Sequence, residues 1–236
     1  MAINKQSNIY TVFYIVVMVL IVGFALVSTS LALRDKQHAN ADADKMKQIL
    51  AAVHIAPEKS DIIATFNSTV TSQPVFNSRG DSIGNNAFAV NVEAQSKLKD
   101  AERELPVYVC KIADGSTKYV IPVYGAGLWG PIWGYVAFDA DGSTIYGAYF
   151  AHQGETPGLG AEIEKPAFSN QFEGKQVIRN GEFEPVEVVK KGTKPLVDCD
   201  YVDGISGGTI TSKGVSDMLA NCLTPYRNIL MNLNKN

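Results

Sequence analysis

The 236-residue sequence is short of several features that would settle its function early. It has no basic excess. Its 21 Lys and Arg face 24 Asp and Glu, a formal net charge of −3, so there is no electrostatic footprint for nucleic acid. It has only three cysteines, Cys110, Cys199 and Cys222, and none stands in a CxxC pair or a Cys/His ligand spacing, which argues against a zinc module. Cys199 and Cys222 are free to pair outside a reducing compartment, but three unpaired thiols is the simpler reading. The glycine-rich stretch at 203–212 has neither the Gly-Lys-Ser/Thr ending of a Walker loop nor the G-x-G-x-x-G spacing of a Rossmann fingerprint. There is no internal repeat and no low-complexity tract. Asp139-Ala140-Asp141-Gly142 begins like a calcium loop but lacks the closing Glu, and reads as a hairpin turn. Arg79-Gly80-Asp81 resembles an adhesion tripeptide of a kind that chance supplies often. Asn67-Ser68-Thr69 is a glycosylation acceptor only in a secretory eukaryotic setting.

What is present begins with a long apolar run. No charged residue occurs from Gln6 to Leu33, and Ile9 to Leu33 is almost continuously apolar. A bilayer span needs about 20 such residues, whereas a cleaved signal has an apolar core of about 7–15. The run therefore reads as a retained single-pass anchor over 9–33, after a short tail at 1–8, with membrane lipid as its surroundings. Its sidedness stays open on charge. Lys5 precedes the span and Arg34, Lys36, Lys45 and Lys47 follow it, a bias that by itself keeps the large domain in the cytoplasm, although long domains are often translocated regardless.

Residues 34–236 read as one soluble α+β domain. Met46, Ile49, Leu50 and Val53 recur at helical spacing ahead of Pro57. The Ser-, Thr- and Asn-rich stretch from Asp61 to Asn91 reads as loops with edge strands. Strand-like runs follow at 107–112, 118–124, 133–139 and 143–150, with Asp114-Gly115 and Asp141-Gly142 as hairpin turns between pairs of them. An antiparallel sheet flanked by helices is the expected architecture. Val215, Met218, Leu219, Cys222 and Leu223 mark a last amphipathic helix that Pro225 kinks or ends, with Thr211 or Ser212 as its N-cap.

Just before that helix stands Asp203-Gly204-Ile205-Ser206-Gly207-Gly208-Thr209. Its glycines leave backbone amides uncovered at a helix N-terminus, where the dipole favours a phosphate. On chemistry alone, a phosphate site and a plain capped turn are equally good readings. The pattern Asp203-x-x-Ser206-Gly207-x-Thr209 closely resembles the D-x-x-(S/T)-G-A-T motif at which a flavin transferase moves FMN from FAD onto a threonine hydroxyl. The departure is Gly208, where that family has Ala. His152-Gln153-Gly154-Glu155-Thr156-Pro157-Gly158-Leu159-Gly160 resembles the ETPGLG loop of membrane-bound FMN-binding electron-transfer subunits. Gly125-Ala126-Gly127-Leu128-Trp129-Gly130-Pro131 is similar to the G-x-GLW stretch of the C subunits of sodium-translocating NADH:quinone oxidoreductases. The related G subunits of Rnf complexes typically carry Gly-Tyr-Gly-Gly there.

The resemblance implies an electron-relay subunit of a bacterial inner-membrane NADH:ubiquinone reductase that pumps sodium, with FMN joined to Thr209 by a phosphoester. Asp203, Ser206, Gly207 and Gly208 would form the attachment stretch. Glu155, Thr156, Gly158 and Leu159 would line the flavin, and Leu128 and Trp129 would pack beside it or belong to the core. The implied partners are the other subunits of the complex and, during maturation, the flavin transferase, and the soluble domain would be periplasmic. No catalytic residue, metal or nucleic acid is implied. The alternatives are an Rnf subunit and a flavin-free anchored binding module.

Overall fold

The computed structural model describes residues 8–235, so the tail expected at 1–8 falls, apart from Asn8, outside the described residues. Helix α1 (Asn8–Ala52) runs unbroken for 45 residues, about 68 Å at 1.5 Å per residue. The sequence separates an apolar span from an amphipathic helix after it. The backbone does not break between them, because the intervening stretch from Arg34 to Lys45 contains no Gly or Pro and is rich in good helix formers. Its apolar part has a mean hydropathy of 2.7 over 18 residues and is long and apolar enough to cross a membrane. The chain divides into two compact units, the first ending at Lys45 and the second running Met46–Asn236.

After the last turns of α1, the second unit continues with α2 (Ile62–Thr69), β1 (Val70–Ser72), β2 (Val75–Phe76) and β3 (Ser82–Gly84). Helix α2 corrects the reading of 61–91 as loops and strands alone: Ile62 and Phe66, four residues apart, are both buried on one face. There follow α3 (Val92–Ser96), β4 (Leu105–Pro106), β5 (Tyr108–Lys111), β6 (Thr117–Ala126), β7 (Pro131–Phe138) and β8 (Ile145–His152). The chain then passes through α4 (Pro166–Ser169), β9 (Ile178–Arg179), β10 (Glu182–Phe183), β11 (Glu187–Val189) and β12 (Tyr201–Asp203). It ends in α5 (Thr209–Leu223) and α6 (Arg227–Asn234).

The principal sheet is antiparallel, in the order β1-β5-β6-β7-β8. Its centre pairs Val120 with Ala137 and Gly134 with Phe150. Both faces are buried, and alternation along each strand divides the side chains between them. Ile121, Val123 and Val136 join Phe150, Phe168, Phe172, Val215, Met218 and Leu219 in one core. Val120, Tyr135 and Ala137 join Ile49, Leu50, Val53 and Phe66 in the other. Burial on both faces explains why runs such as KYVIPVY are nearly continuous in apolar residues.

Helix α5 covers the first face and sits close to it. Gly214 lies against the Ala126 carbonyl, where a Cβ would collide with the oxygen. Pro225 falls within a 3₁₀ turn, Thr224–Tyr226, that separates α5 from α6. The two expected hairpin turns are present. Asp114 accepts the Ser116 amide at 2.7 Å. Asp141 accepts the amides of Ser143 and Thr144, both at 2.9 Å. Burial opposes ionisation of Asp141, but hydrogen bonds from Thr144 and Ser143 outweigh it and hold the carboxyl below its ordinary value. No group of side chains suited to a metal ion occurs among the described residues, and all three cysteines are unpaired and buried.

Candidate flavin-attachment site

Strand geometry delivers three loops to the N-terminal end of α5. The turn between β6 and β7 is closed by the Gly127 amide donating to the Gly130 carbonyl at 2.8 Å, and it leaves Leu128 49% and Trp129 69% exposed. Beyond β8, the Glu155 amide donates to His152 Nδ1 at 3.1 Å, and Leu159 and Ala161 both donate to the Thr156 carbonyl. Those bonds curl residues 156–161 into a tight loop in which Gly158 takes φ +76°. Thr156, Gly158 and Leu159 are exposed on it, whereas Glu155 turns inward and is 5% exposed.

The third segment leaves β12, which pairs in parallel with β11. Asp203 is held by its amide, which donates to Gln171 Oε1 at 2.9 Å, and the Gly204 amide donates to the Val189 carbonyl at 2.7 Å. The chain then turns through Gly207, at φ +77°, into α5, whose N-cap is Gly208 with no side-chain cap. That corrects the expectation of Thr211 or Ser212 as N-cap, since the helix starts at Thr209. Ser212 instead accepts the Ile205 amide at 2.9 Å, and Thr211 donates to Glu155 Oε2 at 2.5 Å. Both are buried, while Ser206, Gly207 and Thr209 are exposed. A Cβ at Gly207 would stand 2.6 Å from Leu159 Cδ2, so the 203–209 stretch and the 156–160 loop touch there.

A cleft of about 540 Å³ opens beside this turn, lined by Thr209, Gly204 to Gly207 and Ser212 together with Val188, Lys190, Lys191 and Lys213. A neighbouring cleft of about 390 Å³ lies across the 203–206 stretch and holds Asp203, Glu162, Lys165 and Lys191. The chemistry suits a phosphate-bearing ligand. Lys190, Lys191 and Lys213 line the cleft with the exposed Thr209 at the N-terminus of α5, where the dipole favours an anion, although the Lys213 ammonium is paired with Asp217 at 2.9 Å. Thr209, Ser206, Gly207, Glu155 and Leu159 thus lie in one neighbourhood. Trp129 reaches that neighbourhood through its backbone amide, which donates to Glu155 Oε1 at 2.8 Å, while its ring is exposed.

Sequence reasoning missed the lysines, Gln171 and the inward role of Thr211. The lysine pair at 190–191 stands alone in sequence, and only the parallel pairing of β11 with β12 carries it to the attachment turn.

Comparison with known proteins gives a consistent result. Residues 127–224 match the model of the FMN-binding domain family. The chain is 32% identical over 231 residues to the C subunit of the Na(+)-translocating NADH-quinone reductase of Vibrio anguillarum, covering 91% of this chain and 90% of that one. It is 34% identical over 217 residues to the C subunit from Vibrio vulnificus strain YJ016, covering 83% and 85% respectively. Among solved structures it superposes on the corresponding C subunit of Parabacteroides distasonis with a TM-score of 0.78. The two are 48% identical, with 84% of this chain and 96% of that chain covered. For NqrC of Shewanella oneidensis the TM-score is 0.68 at 25% identity, with 84% and 100% covered.

Proposed function

The chain belongs to the C-subunit family of Na(+)-translocating NADH-quinone reductases, and from that premise we propose that it is an electron-relay subunit with FMN held as a phosphoester on Thr209. The observation that carries the attachment is the exposure of Thr209 at the first residue of α5, beside a lysine-lined cleft, while Thr211 and Ser212 are buried and bonded. A free hydroxyl at a helix N-terminus can take a phosphoryl group with little rearrangement, and the adjacent amides and ammonium groups stabilise the charge it brings.

When bound, the flavin supplies the redox chemistry, which is the cofactor's own. The protein's part is to hold and orient it. Lys190, Lys191 and Lys213 face the phosphate end, and Asp203, Ser206, Gly207 and Gly208 keep the turn small enough for a transferase to approach. The exposed Leu159, Leu128 and Trp129 offer apolar area to the ring, with Thr156 and Gly158 shaping the loop beside it. A covalent tether also prevents loss of the cofactor from a site bordering open solvent. The apolar part of α1 anchors the chain by a single pass, with 34–236 as the soluble domain on the periplasmic side of the bacterial inner membrane. The remaining subunits of the reductase exchange electrons with the flavin and hold the NADH, quinone and sodium sites. The Rnf reading is not favoured, since the relatives described are sodium-pump C subunits with which this chain aligns over most of its length.

Peptide mass spectrometry on protein purified from its native membrane tests the assignment. The fragment spanning 203–213 should carry one FMN, and Thr209→Val should remove it while leaving the fold intact. An unmodified fragment from cells with a working flavin transferase, or covalent flavin persisting in the valine variant, would overturn it.

A further inference from the structure

Glu155 is a buried carboxylate with no cationic partner among the described residues, and both of its oxygens are taken by the protein. Oε1 accepts the Trp129 amide at 2.8 Å and Oε2 accepts the Thr211 hydroxyl at 2.5 Å. Burying such a group costs free energy, and its hydrogen bonds only offset that cost. Two glycines close around it. A Cβ on Gly127 would lie 2.5 Å from Oε1, and one on Gly160 would overlap both Oε2 and Thr211 Oγ1. Three parts of the chain therefore close around the Glu155 carboxylate: the 127–129 turn, residue 160 and the first turn of α5.

Helix geometry gives this convergence a consequence. Residues two apart on an α-helix point about 200° apart around its axis. Fixing Thr211 inward therefore turns Thr209 outward, and Thr211 is 1% exposed where Thr209 is exposed. Of the three hydroxyls at 209, 211 and 212, two are committed to protein partners. We infer that Glu155 and Thr211 form a latch that sets the rotation of α5, and so determines which hydroxyl is presented for modification and where it stands relative to the 156–160 loop. They are positioning residues: both are buried, and they act through the rotation of α5. The consequence for the flavin rests on the attachment reading above, but the latch itself belongs to the unloaded chain.

The test uses the full chain in detergent, as wild type, Thr211→Val and Thr211→Ser. In flavin-free protein, amide hydrogen exchange is measured at Trp129 and across 156–160. Thr211→Val should accelerate exchange there at least tenfold while amides in the centre of β7 keep their protection, and Thr211→Ser should restore the wild-type rates. In protein matured with the flavin transferase, Thr211→Val should lower the fluorescence anisotropy of the attached flavin and Thr211→Ser should recover it. Unchanged exchange in the valine variant overturns the latch, as does failure of serine to rescue, which would assign the effect to methyl packing. If Thr211→Val does not fold, Thr211→Cys replaces it, since a thiol is only a weak donor. If wild-type protein carries no FMN, the attachment reading fails, and the exchange measurement still decides the latch.

Discussion

Replacing Gly160 with alanine should be among the most damaging single-methyl changes in this chain. Gly160 has an ordinary backbone angle, so no conformational strain enters. The added methyl would occupy the space of Glu155 Oε2 and Thr211 Oγ1 and lie 3.1 Å from Thr211 Cβ. Neither neighbour is the free end of a mobile side chain, because Glu155 is 5% and Thr211 1% exposed. Overpacking of this kind costs about 1–3 kcal/mol. Forcing the hydroxyl off the carboxylate leaves a buried acceptor unsatisfied, a further loss of about 1–3 kcal/mol. The sum, about 2–6 kcal/mol, is a large share of the roughly 5–15 kcal/mol by which domains are stable. For a domain of this size it corresponds to a fall of about 4–24 °C in Tm. Urea unfolding followed by tryptophan fluorescence measures it, with Gly154→Ala as the control. Gly154 lies in the same loop with nothing within 4 Å of where its methyl would stand, so that variant should stay within about 0.5 kcal/mol of wild type. A Gly160→Ala protein as stable as the Gly154→Ala protein would refute the close packing on which the latch depends.

Other predictions draw on different parts of the molecule. The three thiols should be silent to a disulfide reagent in the native protein and should all react after unfolding, because each is buried and unpaired; rapid titration of one native thiol would contradict this. Burial pushes the Cys110 thiol up to about 12, against about 8.5 in an unfolded chain. Its folded value is thus raised, so its contribution is fully present below about pH 8.5 and is lost as pH climbs toward 12, by about 1.4 kcal/mol per unit. Cys110→Ala should flatten that part of the stability–pH curve, and an unaltered slope would count against it. Phe172→Ala should cost about 3–5 kcal/mol, since Phe172 is fully buried with its ring 5.1 Å from Phe150 and 5.5 Å from Phe168; a loss below about 1 kcal/mol in urea unfolding would mean the cluster is loosely packed. Arg103→Met should destabilise strongly for its size, because the buried guanidinium donates to the carbonyls of Leu98, Ser96 and Asn221 and to Asn221 Oδ1, tying α3 to α5; wild-type stability would show those bonds to be dispensable.

Much of the architecture was legible from the order of residues alone. The anchor announces itself by uninterrupted apolar length, and the four long strands by β-rich runs separated by Asp-Gly turns, because these signals are local and period alone decodes them. The helix at 62–69 was hidden because the polar Ser, Thr and Asn around it look like loop, and its helical state is settled by burial of Ile62 and Phe66, the latter in the core formed with the sheet. The attachment motif was visible as small residues ahead of a helix, and so was the prospect of a phosphate there. Which hydroxyl faces solvent was not, since a chain with Thr209, Thr211 and Ser212 in close succession offers three. That choice needs Glu155 brought to α5 from the far end of β8, Trp129 from the β6–β7 turn and the lysines from beyond β11. The sequence by itself determined the long apolar segment, the strands and the stretch of small residues ahead of α5, each readable within a few residues. Only the tertiary structure decided the rotation of α5 and the exposure of Thr209, because a helix's orientation is set by what it buries and by partners remote in the chain.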